Sequence, residues 1–248
     1  MFATRVDSDL LYDRLDAPFY NPEFLTVQKK LNQYKLTTLE SVSYTIFDPP
    51  HIAPEFTEQS PYQMIMIENL TDNGIEGDFR YITENCHLNM FRISHLEGHE
   101  LLMTRVGATS GTVGVVTERH KGLNASGNLS IIKIDSEKVD RFFIFVYFNS
   151  NIGKKIIKQQ IANTARDYLT IERIKSLPIP IIPKYIQTYI GNKVRKAEEL
   201  REEAKRLKEE VNNLIYSILK IEEFNQKNIS QSRYNWVRVD QLEARLDA

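Results

Sequence analysis

The sequence is poor in cysteine and has no long apolar run. Cys86 is the one cysteine in 248 residues, so no disulfide can form within the chain, and a lone thiol fits a reducing compartment. The longest apolar run, at residues 142–148, is far shorter than the roughly 20 residues of a membrane-spanning helix. No segment has the charged and apolar regions of a signal peptide. These absences predict a cytoplasmic protein with no membrane partner.

The sequence also lacks a large excess of charge of either sign. Its formal net charge is −1 at pH 7, which argues against indiscriminate binding to nucleic acid. The charge is unevenly spread, because residues 1–100 carry 7 basic and 16 acidic side chains whereas residues 101–180 carry 12 and 6. A basic middle third leaves room for a local contact with phosphates. With 42% hydrophobic and 26% charged residues, the composition is typical of a globular protein.

No pattern of catalytic residues stands out. Residues 47–51, FDPPH, resemble the D/N-P-P-aromatic loop with which amino-methyltransferases hold the exocyclic nitrogen of a base. However, His51 occupies the aromatic position, and no glycine-rich nucleotide turn precedes the segment. We interpret it as a proline turn. Residues 107–114, GATSGTVG, lack the lysine of a phosphate-binding loop and lie between two β-rich segments, which favours a tight hairpin.

The potential metal ligands are Cys86, His87, His95 and His99. Their spacing fits neither a zinc finger nor a helical H-E-x-x-H site. We therefore expect no metal site, no catalytic residue and no cofactor bound by this chain.

Residues 184–222 predict one long helix, since they contain no proline and a single early glycine, Gly191. At 1.5 Å per residue this helix would be roughly 55–60 Å long. From residue 197 its apolar positions alternate in spacings of three and four, which is the a/d seam of a coiled coil rather than the wider stripe of a surface helix. Such a seam predicts pairing with a second long helix, most simply in a homodimer. The seam residues are Ala197, Leu200, Ala204, Leu207, Val211, Leu214, Ile218 and Ile221.

The rest of the chain predicts an α+β domain with a mixed or antiparallel sheet. Between residues 62 and 134, short alternating runs are divided by Gly, Asn and Asp, as in a sheet of short strands. Residues 23–40 are predicted to be helical, and residues 142–148 are apolar on all sides and predict a buried helix. Residues 177–183, LPIPIIP, predict a stiff extended connector into the long helix.

The two ends of the sequence repeat each other. RVD at residues 5–7 recurs at 238–240, and RLDA at residues 14–17 recurs at 245–248. Two matches in the same order and at similar spacing indicate an internal repeat. The chain would then either close on itself or stop where a second copy of the unit begins. Residues 2–17 also place apolar side chains on one helical face.

Arginine, lysine and asparagine side chains recur through the β-rich region and the segment after it. These side chains hold phosphates and read base edges. The candidate DNA-binding residues are Arg80, Arg105, Arg119, Lys121, Asn124, Asn128, Lys133, Lys154, Lys155 and Lys158.

Several segments together resemble the DNA-specificity subunit of type I restriction–modification systems. They are RLDAPFYNP near the start, LLMTRVGATSGTVG, GLNASGNLSIIKI, and LTIERIKSLPIPIIP running into the long charged helix. They span nearly the whole chain in the family's order. A full-length subunit of that family has two target-recognition domains and two spacer helices. This chain has one of each, so it resembles a half-subunit.

The resemblance implies a target-recognition domain at residues 1–183, a coiled-coil spacer helix at 184–222 and a C-terminal segment at 223–248. It implies double-stranded DNA as the ligand, a methyltransferase subunit as a partner and, through the complex, a restriction subunit. The chain itself would be non-catalytic, and S-adenosylmethionine would be bound by the methyltransferase subunit, which flips and methylates an adenine. Two copies paired by their helices would recognise a palindromic, interrupted site.

Two other functions fit the same segments. The chain could be the recognition portion of a fused restriction–methylation enzyme whose catalytic domain lies elsewhere on the polypeptide. It could also be a coiled-coil adaptor that binds no DNA. The adaptor predicts no salt-sensitive DNA binding, whereas neutralisation of several phosphates makes affinity fall steeply with salt.

Overall fold

The computed structural model describes Val6, residues 17–161 and residues 168–219. By its internal packing the chain divides into two units, Met1–Arg195 and Lys196–Ala248. The helices are α1 (Pro22–Leu31), α2 (Arg141–Asn149), α3 (Asn151–Ile161), α4 (Ile171–Lys175) and α5 (Lys184–Leu219). The strands are β1 (Leu36–Thr38), β2 (Ser43–Phe47), β3 (Gln63–Ile65), β4 (Leu70–Thr71), β5 (Gly74–Ile75), β6 (Arg80–Tyr81), β7 (Leu101–Thr104), β8 (Val113–Val115), β9 (Asn124–Ala125), β10 (Leu129–Ile134) and β11 (Pro178–Pro180). The predicted α+β class is confirmed.

A four-stranded antiparallel sheet, in the order β2–β10–β7–β8, forms the centre of the first unit. Leu129 of β10 pairs with Thr104 of β7, and Ile131 of β10 pairs with Phe47 of β2. Successive side chains of a strand point to opposite faces of the sheet. Both faces are covered here, which explains why β7 and β10 are buried almost throughout.

Helices α2 and α3 cover one face of the sheet. Leu101 and Ile132 of that face pack with the aromatic side chains of α2 in the largest apolar core. Asp140 caps the start of α2, because its carboxylate accepts a hydrogen bond from the Phe142 amide at 2.8 Å. The predicted buried helix at residues 142–148 is confirmed.

The second face of the sheet carries a smaller layer of strands. β3 lies between β6, which is antiparallel to it, and β9, which is parallel to it, and β4 forms a hairpin with β5. Ile65, Leu70 and Ile75 of this layer share a core with Leu102 and Ile131 of the sheet. The parallel β3–β9 pair makes the strand arrangement mixed, in agreement with the prediction.

The turn between β7 and β8 confirms the hairpin predicted at residues 107–114. Gly111 has a φ of +91°, which L side chains rarely adopt, and a Cβ there would lie 2.2 Å from Cγ2 of Ile157 on α3. Gly107 has a φ of +78°, but its Cβ position has no atom within 4 Å. The glycine at position 111 is therefore required for the close packing of the turn against α3.

The predicted helix at residues 23–40 is wrong beyond Leu31. The chain turns after α1, and β1 then pairs antiparallel with β11. Two further backbone hydrogen bonds flank this strand pair. The Ile181 amide donates to the Lys35 carbonyl, and the Leu39 amide donates to the Leu177 carbonyl. Residues 36–38 thus form a strand rather than a helix because they pair with a strand about 140 positions away. The connector predicted at residues 177–183 is extended, as expected, and supplies that partner.

The long predicted helix is confirmed up to Leu219, since α5 is a continuous helix of 36 residues. Its first turns belong to the first unit, where Ile190 and Val194 pack against the core. The boundary between the two units lies after Arg195, within α5. The predicted domain boundary at residue 183 instead coincides with the start of α5. No helix within the described residues is long and apolar enough to cross a bilayer.

Several sequence predictions lie outside the described residues. They are the end of the long helix at 220–222, the C-terminal segment at 223–248, nearly all of the terminal repeat, and the N-terminal helix apart from Val6 and Ala17.

Candidate nucleic-acid interface

Three loops meet at one end of the four-stranded sheet. Because β10 runs antiparallel to β2 and β7, the residues that follow β2 and β7 lie beside those that precede β10. These loops are residues 48–54, 105–112 and 126–128, and we call the surface they form the loop end. Two of them are joined directly, since the Arg105 amide donates a hydrogen bond to the Asn128 carbonyl at 3.1 Å.

Arg105 is the centre of a buried network beneath the loop end. Its side chain is 3% exposed, and Nη1 lies 2.7 Å from Oδ2 of Asp48. The guanidinium also donates to the Tyr168 hydroxyl and to the Leu169 carbonyl. The Ser130 hydroxyl bonds the other carboxylate oxygen of Asp48 at 2.6 Å. The network attaches the loop after β2 to β7 and β10, and the two charges compensate each other.

His51 is held by the same arginine. Arg105 Nη1 donates to His51 Nε2 at 2.7 Å. Because arginine has no acceptor, Nε2 must be the unprotonated nitrogen of a neutral imidazole, and Nδ1 therefore carries the proton. Gly127 lies against this loop, and a Cβ there would be 2.3 Å from the Pro50 carbonyl oxygen. The loop end thus presents an N–H donor on an oriented ring.

A cleft of about 190 Å³ opens beside this ring, and we call it the His51 cleft. Ile52 and Met66 line it with apolar surface, and Ser126 and Asn128 line it with polar groups. Asn128 is exposed. Ser126 is only 2% exposed, and its hydroxyl has no hydrogen-bond partner in the part of the chain that the structure describes. The cleft therefore combines apolar walls with polar groups that no described residue bonds.

A second cleft, of about 700 Å³, lies between the β7–β8 turn and α3. Residues 107–112 form one wall, and Lys154 and Lys158 line the other at a spacing of one helical turn. Lys154 pairs with the exposed carboxylate of Asp72, whereas Lys158 is exposed and has no ion pair within the described ranges. This cleft gives the loop end a positively charged side.

Four of the ten candidate DNA-binding residues come together at the loop end, namely Arg105, Asn128, Lys154 and Lys158. Of these, Arg105 is buried in the network described above. Lys155 is their neighbour on α3, where its ammonium group lies 3.2 Å from the Glu23 carboxylate.

The structure does not bring the remaining five candidates to the loop end; they are Arg80, Arg119, Lys121, Asn124 and Lys133. Lys121 and Lys133 lie toward the opposite end of the sheet and pair with Glu118 and Glu97 at 3.9 and 2.9 Å. Arg80 is on the edge strand β6, with its guanidinium carbon 4.3 Å from the centroid of the Phe56 ring.

Asn124 is fully buried beside a group of stacked rings. Its amide donates to a backbone carbonyl at 2.9 Å, and its carbonyl oxygen lies 2.6 Å from His87 Nδ1. His87 stacks between Tyr62 and His95, with ring centroids 4.1 Å apart on each side. These histidines are thus used in packing, and Cys86 is a buried free thiol. Among the described residues, no group of three or more His, Cys, Asp or Glu is placed to hold a metal ion.

The opposite end of the sheet consists of charged groups that satisfy one another. The buried carboxylate of Glu100 accepts hydrogen bonds from the amides of residues 97, 98 and 99, and Lys133 approaches it at 3.8 Å. His120, in the turn after β8, is fully buried. Burial, reinforced by the charge of Arg119, lowers the pKa of His120 to about 3. His120 is therefore neutral at pH 7.

Sequence reasoning missed Asp48, His51 and Ser126 as parts of this surface. Residues 47–51, FDPPH, resemble a base-holding loop, but their sequence pattern alone predicts a proline turn. Its two polar side chains instead share one partner, Arg105, which lies 54 positions from His51. A local sequence pattern cannot reveal a contact over that separation. The only hint in the sequence is that polar residues, Asp48 and His51, flank the two prolines.

No protein-family model matches the chain, and no curated protein matches it. Among solved structures, it is similar to the type I restriction–modification system S subunit from M. genitalium, with a TM-score of 0.46 and 12% identity over 78% of this chain and 46% of that one. It is also similar to the HsdS subunit from Thermoanaerobacter tengcongensis, with a TM-score of 0.44 and 14% identity over 80% of this chain and 50% of that one. The matches thus include specificity subunits of the kind that the sequence resembles.

A higher TM-score, 0.53, relates the chain to the type IIG restriction endonuclease BpuSI, at 8% identity over 71% of this chain and 28% of that one. The two share a fold over that region. The chain spans about half the length of the S subunits that it matches.

Proposed function

We propose that this chain is a non-catalytic subunit that recognises a specific DNA sequence for a type I restriction–modification system. The observation that carries the proposal is the loop end, where a neutral cleft with unused polar groups and a cleft lined by two lysines share one surface. DNA recognition needs both kinds of contact, because cations on phosphates position a protein and polar groups on base edges select the sequence. The resemblance of the sequence to specificity subunits supports the same assignment.

Lys154 and Lys158 are the proposed phosphate contacts, and Asn128 is a proposed base contact. The lysines are exposed and face the β7–β8 turn. Arg105, which is buried, contributes to binding through the loops that it holds rather than by touching DNA, whereas Asn124 is buried away from the loop end. On this proposal, the loss of either lysine weakens binding to all duplexes alike and reduces the dependence of affinity on salt.

The second part of the proposal is that α5 pairs with α5 of a second copy of the chain. Leu207, Leu214 and Ile218 are 46, 59 and 68% exposed in the single chain. A facing helix would bury this apolar seam. Its other described members are Ala197, Leu200, Ala204 and Val211, and Ile221 lies outside the described residues. A symmetric dimer would recognise two half-sites of a palindrome separated by a spacer.

In this proposal the partners supply the chemistry. A methyltransferase subunit that binds S-adenosylmethionine would methylate an adenine, and a restriction subunit would join through the complex, in the cytoplasm. The sequence resemblance supports these partners. The contribution of this chain is to select the site.

A second candidate function is the recognition portion of a fused restriction–methylation enzyme. The shared fold with a restriction endonuclease, of which the chain covers 28%, favours this candidate. A methyltransferase domain in the same open reading frame would establish it. A methyltransferase encoded as a separate polypeptide that binds this chain would establish the subunit.

Selection from a library of random duplexes tests the proposed function. The full chain, alone and mixed with a type I methyltransferase subunit, is incubated with the library at about 0.15 M salt, and the bound DNA is sequenced. We expect one enriched motif made of two palindromic halves. The absence of an enriched motif in both samples would overturn the proposal and leave the adaptor function.

A further inference from the structure

We propose that the His51 cleft reads the major-groove edge of a purine base. The inference rests on the proposed function in DNA recognition and assigns it a specific base-reading site. The cleft lies between the loop after β2 and the loop before β10, with His51, Ser126 and Asn128 as its polar lining.

A hydrogen bond from Arg105 orients the His51 ring. Its Nε2 accepts from Arg105 at 2.7 Å, and Arg105 is itself held by Asp48 at 2.7 Å. The protonated Nδ1 is therefore a hydrogen-bond donor whose position is set before any ligand binds. A donor of this kind discriminates among ligands, because a group without an acceptor leaves it unpaired.

Two polar side chains of the cleft have no hydrogen-bond partner among the described residues. Ser126 lines the cleft, and its buried hydroxyl has no hydrogen bond from any described residue. The exposed Asn128 bonds Arg105 through its backbone carbonyl, and its side-chain amide has no hydrogen-bond partner among the described residues. Buried polar groups are nearly always hydrogen-bonded in native structures, so an unpaired one at a cleft is a position for a group from outside the fold, either a ligand or water.

The charge and the walls of the cleft suit a base rather than a phosphate. The charge of Arg105 is compensated by Asp48, and the His51 ring accepts from that guanidinium, so none of the described residues that line the cleft offers a cation to a phosphate. Its walls include Ile52, which is 47% exposed, and Met66. Apolar walls with neutral donors suit the edge of a base, whereas Lys154 and Lys158 on the other cleft suit the backbone.

The donor pattern favours a purine. N7 of both guanine and adenine is a major-groove acceptor, which the Nδ1–H of His51 can bond. With N7 bonded by His51, the Asn128 side chain can accept from N6 of adenine through its carbonyl oxygen or donate to O6 of guanine through its amino group. In the major groove thymine offers one acceptor, O4, and cytosine offers only a donor, so neither presents the adjacent pair of groups that His51 and Asn128 can bond together.

The test uses the full chain and the duplex selected by the wild-type protein. His51→Ala removes the donor, whereas His51→Asn retains a side-chain N–H near the position of Nδ1. Thermal unfolding of both variants verifies that they are folded. Selection is repeated with each variant, and affinities are measured for the selected duplex, for a scrambled duplex, and for the selected duplex with 7-deazapurine at the affected position.

We expect His51→Ala to lose its preference at one purine of each half-site and to bind the selected duplex at least about fivefold more weakly, with unchanged affinity for the scrambled duplex. His51→Asn retains the motif. The 7-deazapurine weakens wild-type binding by the same factor and leaves the His51→Ala variant unaffected. Equal weakening on both duplexes identifies a phosphate contact and overturns the inference, as does an unchanged motif. A wild-type chain that selects no motif contradicts the proposed function itself, which separates the two failures.

Discussion

At the residue scale, the loop end depends on Arg105. Its guanidinium bonds Asp48, His51 and Tyr168 while it is almost completely shielded from water. Removal of one partner of a buried ion pair leaves the other charge uncompensated, which typically costs about 3–5 kcal/mol. The arginine is therefore as important for folding as for the orientation of His51.

We expect Arg105→Ala to lower the free energy of unfolding by about 3–5 kcal/mol in urea denaturation. Adding Asp48→Ala should restore part of this loss, because it removes the unpaired carboxylate. Lys121→Ala is the matched control, since this exposed lysine only approaches Glu118 at 3.9 Å, and its loss should stay within about 0.5 kcal/mol. Similar small losses for Arg105→Ala and Lys121→Ala contradict the buried network.

His120 makes the stability depend on pH. Its pKa falls from 6.5 to about 3 in the folded chain because the imidazole is buried. Between these values the unfolded state binds more protons, so acid lowers the free energy of unfolding, by up to about 1.4 kcal/mol per pH unit. We expect wild type to lose about 2 kcal/mol more than His120→Gln between pH 7 and pH 5. Equal losses in the two proteins, measured by denaturation at both pH values, would contradict this role.

Residue type alone does not predict which side chains reach the loop end; their position in the fold decides it. Asn124 and Asn128 are four positions apart and looked equivalent as base-contacting candidates, yet the first is buried under stacked rings and the second is exposed at a cleft. The difference comes from the parallel pairing of β9 with β3, a contact between distant segments. The same applies to His51, whose role depends on an arginine in another strand.

At the element scale, the packing of the β7–β8 turn can be tested by comparing Gly107 with Gly111, which differ in what surrounds them. Both have positive φ, but a Cβ at Gly111 would overlap Ile157 whereas one at Gly107 would meet nothing within 4 Å. We expect Gly107→Ala to cost about 1 kcal/mol from backbone conformation alone. Gly111→Ala should cost about 3 kcal/mol, because overpacking is added.

Urea denaturation of the two glycine variants measures this difference. Equal losses would mean that the turn does not pack against α3 as described, which would also remove one wall of the lysine-lined cleft.

The sequence predicts helices and extended segments that have a strong local pattern. It does not predict strands that form only by pairing with a distant segment. Helix α2 has an N-cap at Asp140 and an apolar run too hydrophobic to lie at the surface. Residues 36–38 have no such signal and become a strand only because β11 offers an edge about 140 positions later. The extended β11 itself was predictable, since its prolines exclude a helix.

At the scale of the whole molecule, the exposed seam of α5 predicts self-association. Replacing both Leu207 and Leu214 with Asp should convert a dimer of about twice 28.9 kDa into a monomer. The control is the pair Lys205→Asp and Asn212→Asp, which has the same spacing of seven but lies outside the seam, and it should remain dimeric. Light scattering measures the mass, and an unchanged dimer in the seam variant would contradict pairing through α5.

The order of the segments along the sequence was enough to predict the fold class and the family resemblance. It did not show which polar side chains meet at one surface, because the loop end is assembled from three separate loops that lie between residues 48 and 128 of the chain. The antiparallel order of β2, β10 and β7 brings them together.

The most direct test of the account is the affinity of the chain for its selected duplex and for a scrambled duplex over a range of salt concentrations. Sequence-specific recognition predicts a ratio of affinities of about 10³ or more, and lysine contacts with phosphates predict that both affinities fall as salt rises. Equal affinities for the two duplexes, or binding that does not respond to salt, would contradict recognition of DNA by the loop end.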